Sequence, residues 1–344
     1  MIKKKNISIW LFVCSFLVIF MIMIGGYTRL SDAGLSIVDW KPISGILPPI
    51  SDSEWNDEFQ RYAMFPEYKE KNFNITLSEF KNIYWIEYLH RLLGRLTGII
   101  FLVPFLYFLF KKLLTRRDII FFSLVFLLGG AQGFLGWYMV KSGLNIDPAV
   151  SHYRLTAHLL MAIFIYGLLL WKAISFFDNY SIRKKKNINL ISISRNIIIL
   201  CIIQIALGGM VAGLDAGLVY NTFPLMGDQF VPSEVLKSLS KFTAFDNPVA
   251  VQFLHRIFAY MIIVYSVYFF IVSESSNDNR VKWLIRLFII IILCQFALGI
   301  MTLLENVPLN LAIIHQFVAI VAFTNLLFIS HHLIYSPEIP NINK

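Results

Sequence analysis

Eight apolar runs separated by polar links dominate the chain. They cover roughly 8–26, 84–110, 118–139, 154–177, 196–213, 248–273, 284–304 and 311–333. Each is long enough to cross the hydrocarbon of a bilayer as a helix. Backbone N–H and C=O groups find no water there, so helix is the form these runs must take. The pattern predicts an all-α integral membrane protein with eight transmembrane helices.

Composition agrees with the pattern. Of 344 residues, 57% are hydrophobic and only 15% charged, and the mean hydropathy is +0.67. A soluble chain of this length could not hide that much apolar surface. The net charge of +9 would suggest nucleic acid in a soluble protein. Here the basic residues gather in alternate links: Lys3–Lys5, Lys111 to Arg117, Arg183 to Arg195, and Arg280 to Arg286. Those links are predicted to face the cytoplasm, with both termini inside. The links 27–83 and 214–247 carry more acid than base and are predicted to lie outside. No nucleic-acid partner is expected. The basic start before the first run lacks a small-residue cleavage signal and reads as a retained helix. Cys14, Cys201 and Cys294 all lie in apolar runs, so no disulfide framework is expected. The outer segment 27–83 is expected to hold short helices over the outer mouth, since a loop that long is usually functional.

Internal repeats organise the chain further. G-G-Y-T-R-L-S-D-A-G-L at 25–35 returns as G-G-M-V-A-G-L-D-A-G-L at 208–218, and Y-L-H-R at 88–91 as F-L-H-R at 253–256. A-Q-G-F-L-G at 131–136 is answered by C-Q-F-A-L-G at 294–299, and A-H-L at 157–159 by I-H-Q at 314–316. Four matches in one order predict two duplicated four-helix bundles, 1–180 and 190–335. An even helix number per copy implies a pseudo-two-fold axis along the membrane normal.

The repeat preserves histidines. His90, His158, His255 and His315 each fall within a few turns of the outer end of a run, roughly 7–12 Å deep at 1.5 Å per residue. One intramembrane histidine reads as an interhelical contact. Two per half, at matched depth, read as an axial-ligand pair for haem iron. Zinc fits less well, because the second half offers no cysteine or carboxylate at that depth. His152, His331 and His332 lack repeat partners and read as loop or interfacial residues. Gln132, Gln204 and Gln295 read as interhelical glue. Arg91 and Arg256 each follow a histidine, and Arg95 lies one turn beyond Arg91; a guanidinium binds a haem propionate well, and snorkelling to the interface is the plainer alternative.

The halves differ one turn before the first histidine of each. Glu87 precedes His90 by three residues, whereas Gln252 precedes His255 by three. An acid there is a candidate proton acceptor or cation stabiliser. The first half would then process a substrate while the second keeps a fixed cofactor.

These residues carry a resemblance. G-G-Y-T-R-L-S-D-A-G-L-S with the nearby W-K-P, E-Y-L-H-R-L-L-G-R-L-T-G, H-Y-R-L-T-A-H-L, F-L-H-R and the long stretch from Gln204 to Gly227 resemble the haem A synthase family over about 20–335. The resemblance implies an oxidoreductase that converts a methyl group of haem O to a formyl, making haem A for cytochrome oxidase. It implies that His255 and His315 ligate a permanent haem b, that His90 and His158 surround the haem O substrate, and that Glu87 is the catalytic carboxylate. An inner (plasma) membrane location is implied, with haem O synthase, oxidase assembly factors or a second copy as partners. Part of the family carries a cysteine pair in outer loops. This chain has none, so it resembles the proteobacterial and mitochondrial branch, and a thiol redox step is in doubt. Two other functions suit a duplicated bundle: a dihaem b-type carrier oxidising quinol, and a haem transporter. Carriers stack haems near both faces, whereas these histidines share one; transport predicts matched broken helices, which the sequence lacks.

Overall fold

The computed structural model describes residues 2–40, 44–144, 148–177, 180–183 and 186–337. Lys184, Lys185 and the Lys41-Pro42 part of the W-K-P motif lie outside the described residues. Among the described residues eight helices are long and apolar enough to span a bilayer, which makes the chain a multi-pass membrane protein. They are α1 (Ile2–Leu30), α4 (Leu77–Phe110), α5 (Arg116–Gly143), α6 (His152–Phe177), α7 (Ile188–Gly213), α9 (Pro248–Ser273), α10 (Asn279–Leu304) and α11 (Leu309–Ile334). The shorter α2 (Asp52–Ala63), α3 (Pro66–Glu70) and α8 (Ser233–Ser240) lie in the long links.

Most long helices start before their apolar runs, because capped polar turns lead into them. Thr76 and Glu79 form a reciprocal capping box at the head of α4, and Thr115 and Asp118 do so for α5. Asn187, Asn247 and Asp278 cap α7, α9 and α10 with side-chain oxygens. Each cap satisfies backbone N–H groups that would otherwise lack partners.

Contacts divide the chain into two compact units, 17–165 and 1–16 with 166–344. The cuts fall inside α1 and α6 rather than between 180 and 190. The amino-terminal turns of α1 bond the end of α6: the Ser8 hydroxyl donates to the Ala173 carbonyl at 2.8 Å, and Phe12 meets Phe177 edge-on. In this larger unit α7 packs on α9, α9 on α10, α10 on α11 and α11 on α7, which closes a ring of four helices.

The same unit holds two elements absent from the hydropathy pattern. Strands β1 (Tyr180–Ile182) and β2 (Tyr335–Pro337) pair antiparallel, Ser181 opposite Ser336. His331 and His332, expected at the interface, are buried. The Ser175 hydroxyl lies 2.9 Å from His331, while Arg183 and Asp278 approach His332 at 2.8 and 3.3 Å. Burial pushes the Asp278 carboxyl up, but the Val281 N–H, His332 and Arg183 outweigh it, and the group ends below its ordinary value.

In the smaller unit α2 packs on the first turns of α4. Trp55, Tyr62, Phe80, Tyr84 and Tyr88 form a buried aromatic cluster between them. Glu67 on α3 sits beside this cluster, 3% exposed, with Oε2 buried and unpartnered. Burial pushes its carboxyl up to about 7; Tyr62 and Lys71 oppose the rise, and Glu87 and Asp32 add to it. Ionising Glu67 therefore costs folding energy, a penalty absent below the ordinary value of 4.5 and complete above about pH 7. Glu67→Gln is expected to change the thermal midpoint in detergent little at pH 5 and to raise stability at pH 8, by at most about 3 kcal/mol. Equal effects at both pH values would contradict this account.

Candidate functional site

The four repeated histidines fall into two pairs, one in each unit. His158 has His90 as an electrostatic neighbour, and His255 has His315. His158, His255 and His315 each stand two turns into their helices, and α4 reaches His90 only after its extra first turns.

Each ring is seated on a glycine of the preceding long helix. A Cβ on Gly25 would come 3.4 Å from His90 Nε2; on Gly136, 3.0 Å from His158; on Gly208, 3.4 Å from His255; on Gly299, 2.9 Å from His315. A Cβ would force the ring to shift at Gly136 and Gly299, and would rest in van der Waals contact with it at Gly25 and Gly208. Glutamine amides hold three of the rings. Gln132 Nε2 lies 3.5 Å from His158 Nε2 and donates to that residue's carbonyl at 3.1 Å. Gln204 does the same for His255 at 3.2 and 3.1 Å, and Gln295 Nε2 is 3.3 Å from His315 Nε2. The glue expected from these glutamines is thus directed at the histidines themselves.

The pairs fit an iron porphyrin better than a polyhedral metal site. Nδ1 of His158, His255 and His315 is buried without a hydrogen-bond partner, which is costly at this depth; a metal on Nδ1 would relieve it once the ring proton had moved to Nε2 in place of the glutamine contact. Among the described residues no group of three His, Cys, Asp or Glu side chains could hold a metal ion. Two neighbouring imidazoles could hold a haem, and would leave a zinc ion short of ligands.

Glu87 is 3% exposed and fully engaged. Ser36 Oγ and the Ile37 N–H donate to Oε2 at 2.7 and 2.9 Å. Arg91 donates to Oε1 from Nε at 3.0 Å and from Nη2 at 2.6 Å. Arg91 also donates to the carbonyls of Ile37 and Asp39, at 2.8 and 3.3 Å.

The second unit builds the same fastening without a carboxylate. Gln252 Nε2 and Arg256 Nη2 donate to the Tyr220 carbonyl at 3.1 and 2.9 Å, and Arg256 Nη1 to Thr222 at 2.9 Å. Tyr220 and Thr222 stand in the repeat where Ile37 and Asp39 stand. Just upstream, Asp32 and Asp215 both turn the chain with φ of +49°. Both arginines therefore tie a loop to a histidine helix, a role the sequence did not reveal. Arg95 lies one turn beyond Arg91, partly buried, with Arg91 and Tyr88 as electrostatic neighbours. His152 opens α6 against the Tyr153 ring, centroids 4.0 Å apart.

The cytochrome oxidase assembly protein family matches residues 8–327. A heme A synthase of Rickettsia bellii is 46% identical over 323 residues, covering 92% of this chain and 95% of that one. A heme A synthase of Wolbachia pipientis is 45% identical over 336 residues, 96% and 98% of the two chains. One from Nitrosospira multiformis is 44% identical over 339 residues, 96% and 94%.

Proposed function

This chain belongs to the haem A synthases of the cytochrome oxidase assembly protein family, and on that premise we propose that it is an oxidoreductase converting a methyl substituent of haem O to the formyl of haem A. The observation that supports this best is the pair of glycine-seated imidazoles in each unit, with a buried carboxylate beside only one pair. His90 and His158 would hold the substrate pigment. His255 and His315 would ligate a resident haem b. The two sets would belong to duplicated four-helix halves, 1–180 and 190–335, related by a two-fold along the membrane normal. Both termini would face the cytoplasm across the inner membrane, with haem O synthase, oxidase assembly factors or a second copy of the chain as partners.

When bound, the haems supply the redox chemistry, which no side chain can perform on an unactivated methyl group. The protein positions the reacting pigment and handles its protons. Glu87 sits three residues from His90 on one helix face, where its carboxylate can accept a proton leaving the methyl carbon. The Ser36 hydroxyl is the partner free to turn: besides Glu87 it has the carbonyls of Ala33 at 3.2 Å and Ile83 at 3.4 Å within reach. A proton on Oε2 can thus replace the bond Ser36 gives up without orphaning either group. Arg91 stays on Oε1 and keeps the carboxylate pointed along α4. For the propionates, Arg91, Arg95 and Arg256 would face the outer mouth. Arg256 Nε is buried without a partner, an N–H that a carboxylate oxygen would satisfy.

Pigment extraction tests the reading. Protein purified from cells making haem O should yield haem b together with haem O or A. Haem b alone in both positions would favour a quinol-oxidising carrier, and an absence of tightly held haem would favour a transporter.

A further inference from the structure

Far from the paired imidazoles, the larger unit holds a cleft of about 210 Å³ between α1, α6, α10 and α11. On α11 its His332 lies about 25 Å beyond His315, at 1.5 Å per residue. That is most of the hydrocarbon thickness, so the cleft stands at the level of the opposite headgroups. Phe12, Phe177, Leu284 and Phe328 form its apolar walls. Phe177 is 53% exposed and Phe328 36%, so the cleft is open at its side.

The head of the cleft is positive. Arg280 and His332 line it. Arg183 Nη2 donates to His332 Nε2 at 2.8 Å and to Asp278 Oδ2 at 2.9 Å. A guanidinium can only donate, so Nε2 is the acceptor and the ring proton of His332 sits on Nδ1. Among the described residues no acceptor meets that N–H. The acids at this end are already engaged. Asp278 Oδ1 accepts from the N–H groups of Arg280 and Val281 at the start of α10, and Glu274 is paired with Arg286 at 2.9 Å. Among the described residues no carboxylate meets the Arg280 guanidinium. One cation and one ring N–H are thus left over at the head of an aromatic cleft.

We propose that this cleft binds an anionic phospholipid, with the phosphate on Arg280 and His332 and an acyl chain along Phe12, Phe177 and Phe328. A guanidinium grips phosphate oxygens in a bidentate fashion, and the histidine N–H suits a third. A zwitterionic headgroup would bring an ammonium beside Arg280, with no carboxylate left to receive it. In the topology proposed above this end faces the cytoplasmic leaflet, where anionic lipid concentrates. The bound lipid would join α1 to α10 and α11, one turn from the place where Ser8 ties α1 to α6.

Native mass spectrometry of the full chain in detergent tests this, with phosphatidylglycerol, phosphatidylethanolamine and inorganic phosphate as probes. Phosphatidylglycerol should bind more tightly than phosphatidylethanolamine, and equal concentrations of inorganic phosphate should not displace it. Arg280→Gln loses no partner within the protein and should weaken phosphatidylglycerol binding at least about tenfold, the scale of one charge-assisted hydrogen bond. Lys282→Gln removes the same charge from the same turn of α10 but outside the cleft, and should matter far less. Leu284→Trp fills the cleft without changing its charge and should also weaken binding. The proposal is overturned if the two lipids bind alike, if inorganic phosphate competes equally, if Arg280→Gln keeps the parent affinity, or if Lys282→Gln weakens binding as much as Arg280→Gln.

Discussion

Glu87→Gln is expected to keep both pigments bound and to lower haem A formation by roughly 10²- to 10⁴-fold, the range for loss of a positioned proton acceptor. The variant copies what the other unit already contains. Gln252 is as buried as Glu87, 3% exposed, and its amide joins Arg256 on the Tyr220 carbonyl. An amide oxygen at the Oε2 position would still accept from Ser36 and Ile37, so the loop stays fastened. Arg91 loses its carboxylate but keeps the carbonyls of Ile37 and Asp39, and Arg256 shows that such a guanidinium is tolerated. What disappears is a group able to take a proton. The check is the haem A to haem O ratio extracted from cells, beside the thermal midpoint of the variant. A normal ratio would remove Glu87 from the chemistry. A collapsed midpoint with normal turnover per folded molecule would make its role structural.

His255→Ala or His315→Ala should strip the resident haem b, with content falling at least about tenfold once one of two axial imidazoles is gone. The glycine seats make the effect specific. Gly208 and Gly299 leave no side chain that could move in as a ligand, and the amides of Gln204 and Gln295 would lose the rings they contact. The matching changes at His90 and His158 should leave haem b in place. Pyridine haemochrome content and the low-spin spectrum measure both arms. A His255→Ala protein with an unaltered bis-imidazole spectrum would sink the assignment of that pair.

How much of this was legible beforehand depended on what each feature uses as its partner. The spans were legible because the bilayer imposes length and apolarity residue by residue; Pro248–Ser273 falls where hydropathy put it. Helix starts were not, since Leu77–Ile83 and Ile188–Arg195 are amphipathic turns that owe their form to Thr76, Asn187 and local packing. Internal repetition singled out His90, His158, His255, His315 and the Glu87/Gln252 difference. It also contained the Gln-x-x-x-Gly seats, but only coordinates connect Gln204 to His255 across 51 residues. The loop clamps were invisible for a different reason. Arg91 and Arg256 bond backbone carbonyls, and any residue supplies those, so no side-chain pattern marks the acceptor. The burial of His331 likewise depends on Ser175, 156 residues away.

The early start of α4 sets the ionic surroundings of the first half. Its extra turns, Leu77 to Ile83, add about 10 Å at 1.5 Å per residue and carry the Trp55, Tyr62 and Phe80 packing with them. One turn further along α4 the Glu87 side chain keeps 3% of its surface exposed and Arg91 20%, so counterions gather around this bridge less than around a pair on open surface. Its strength therefore answers only weakly to the saltiness of the medium.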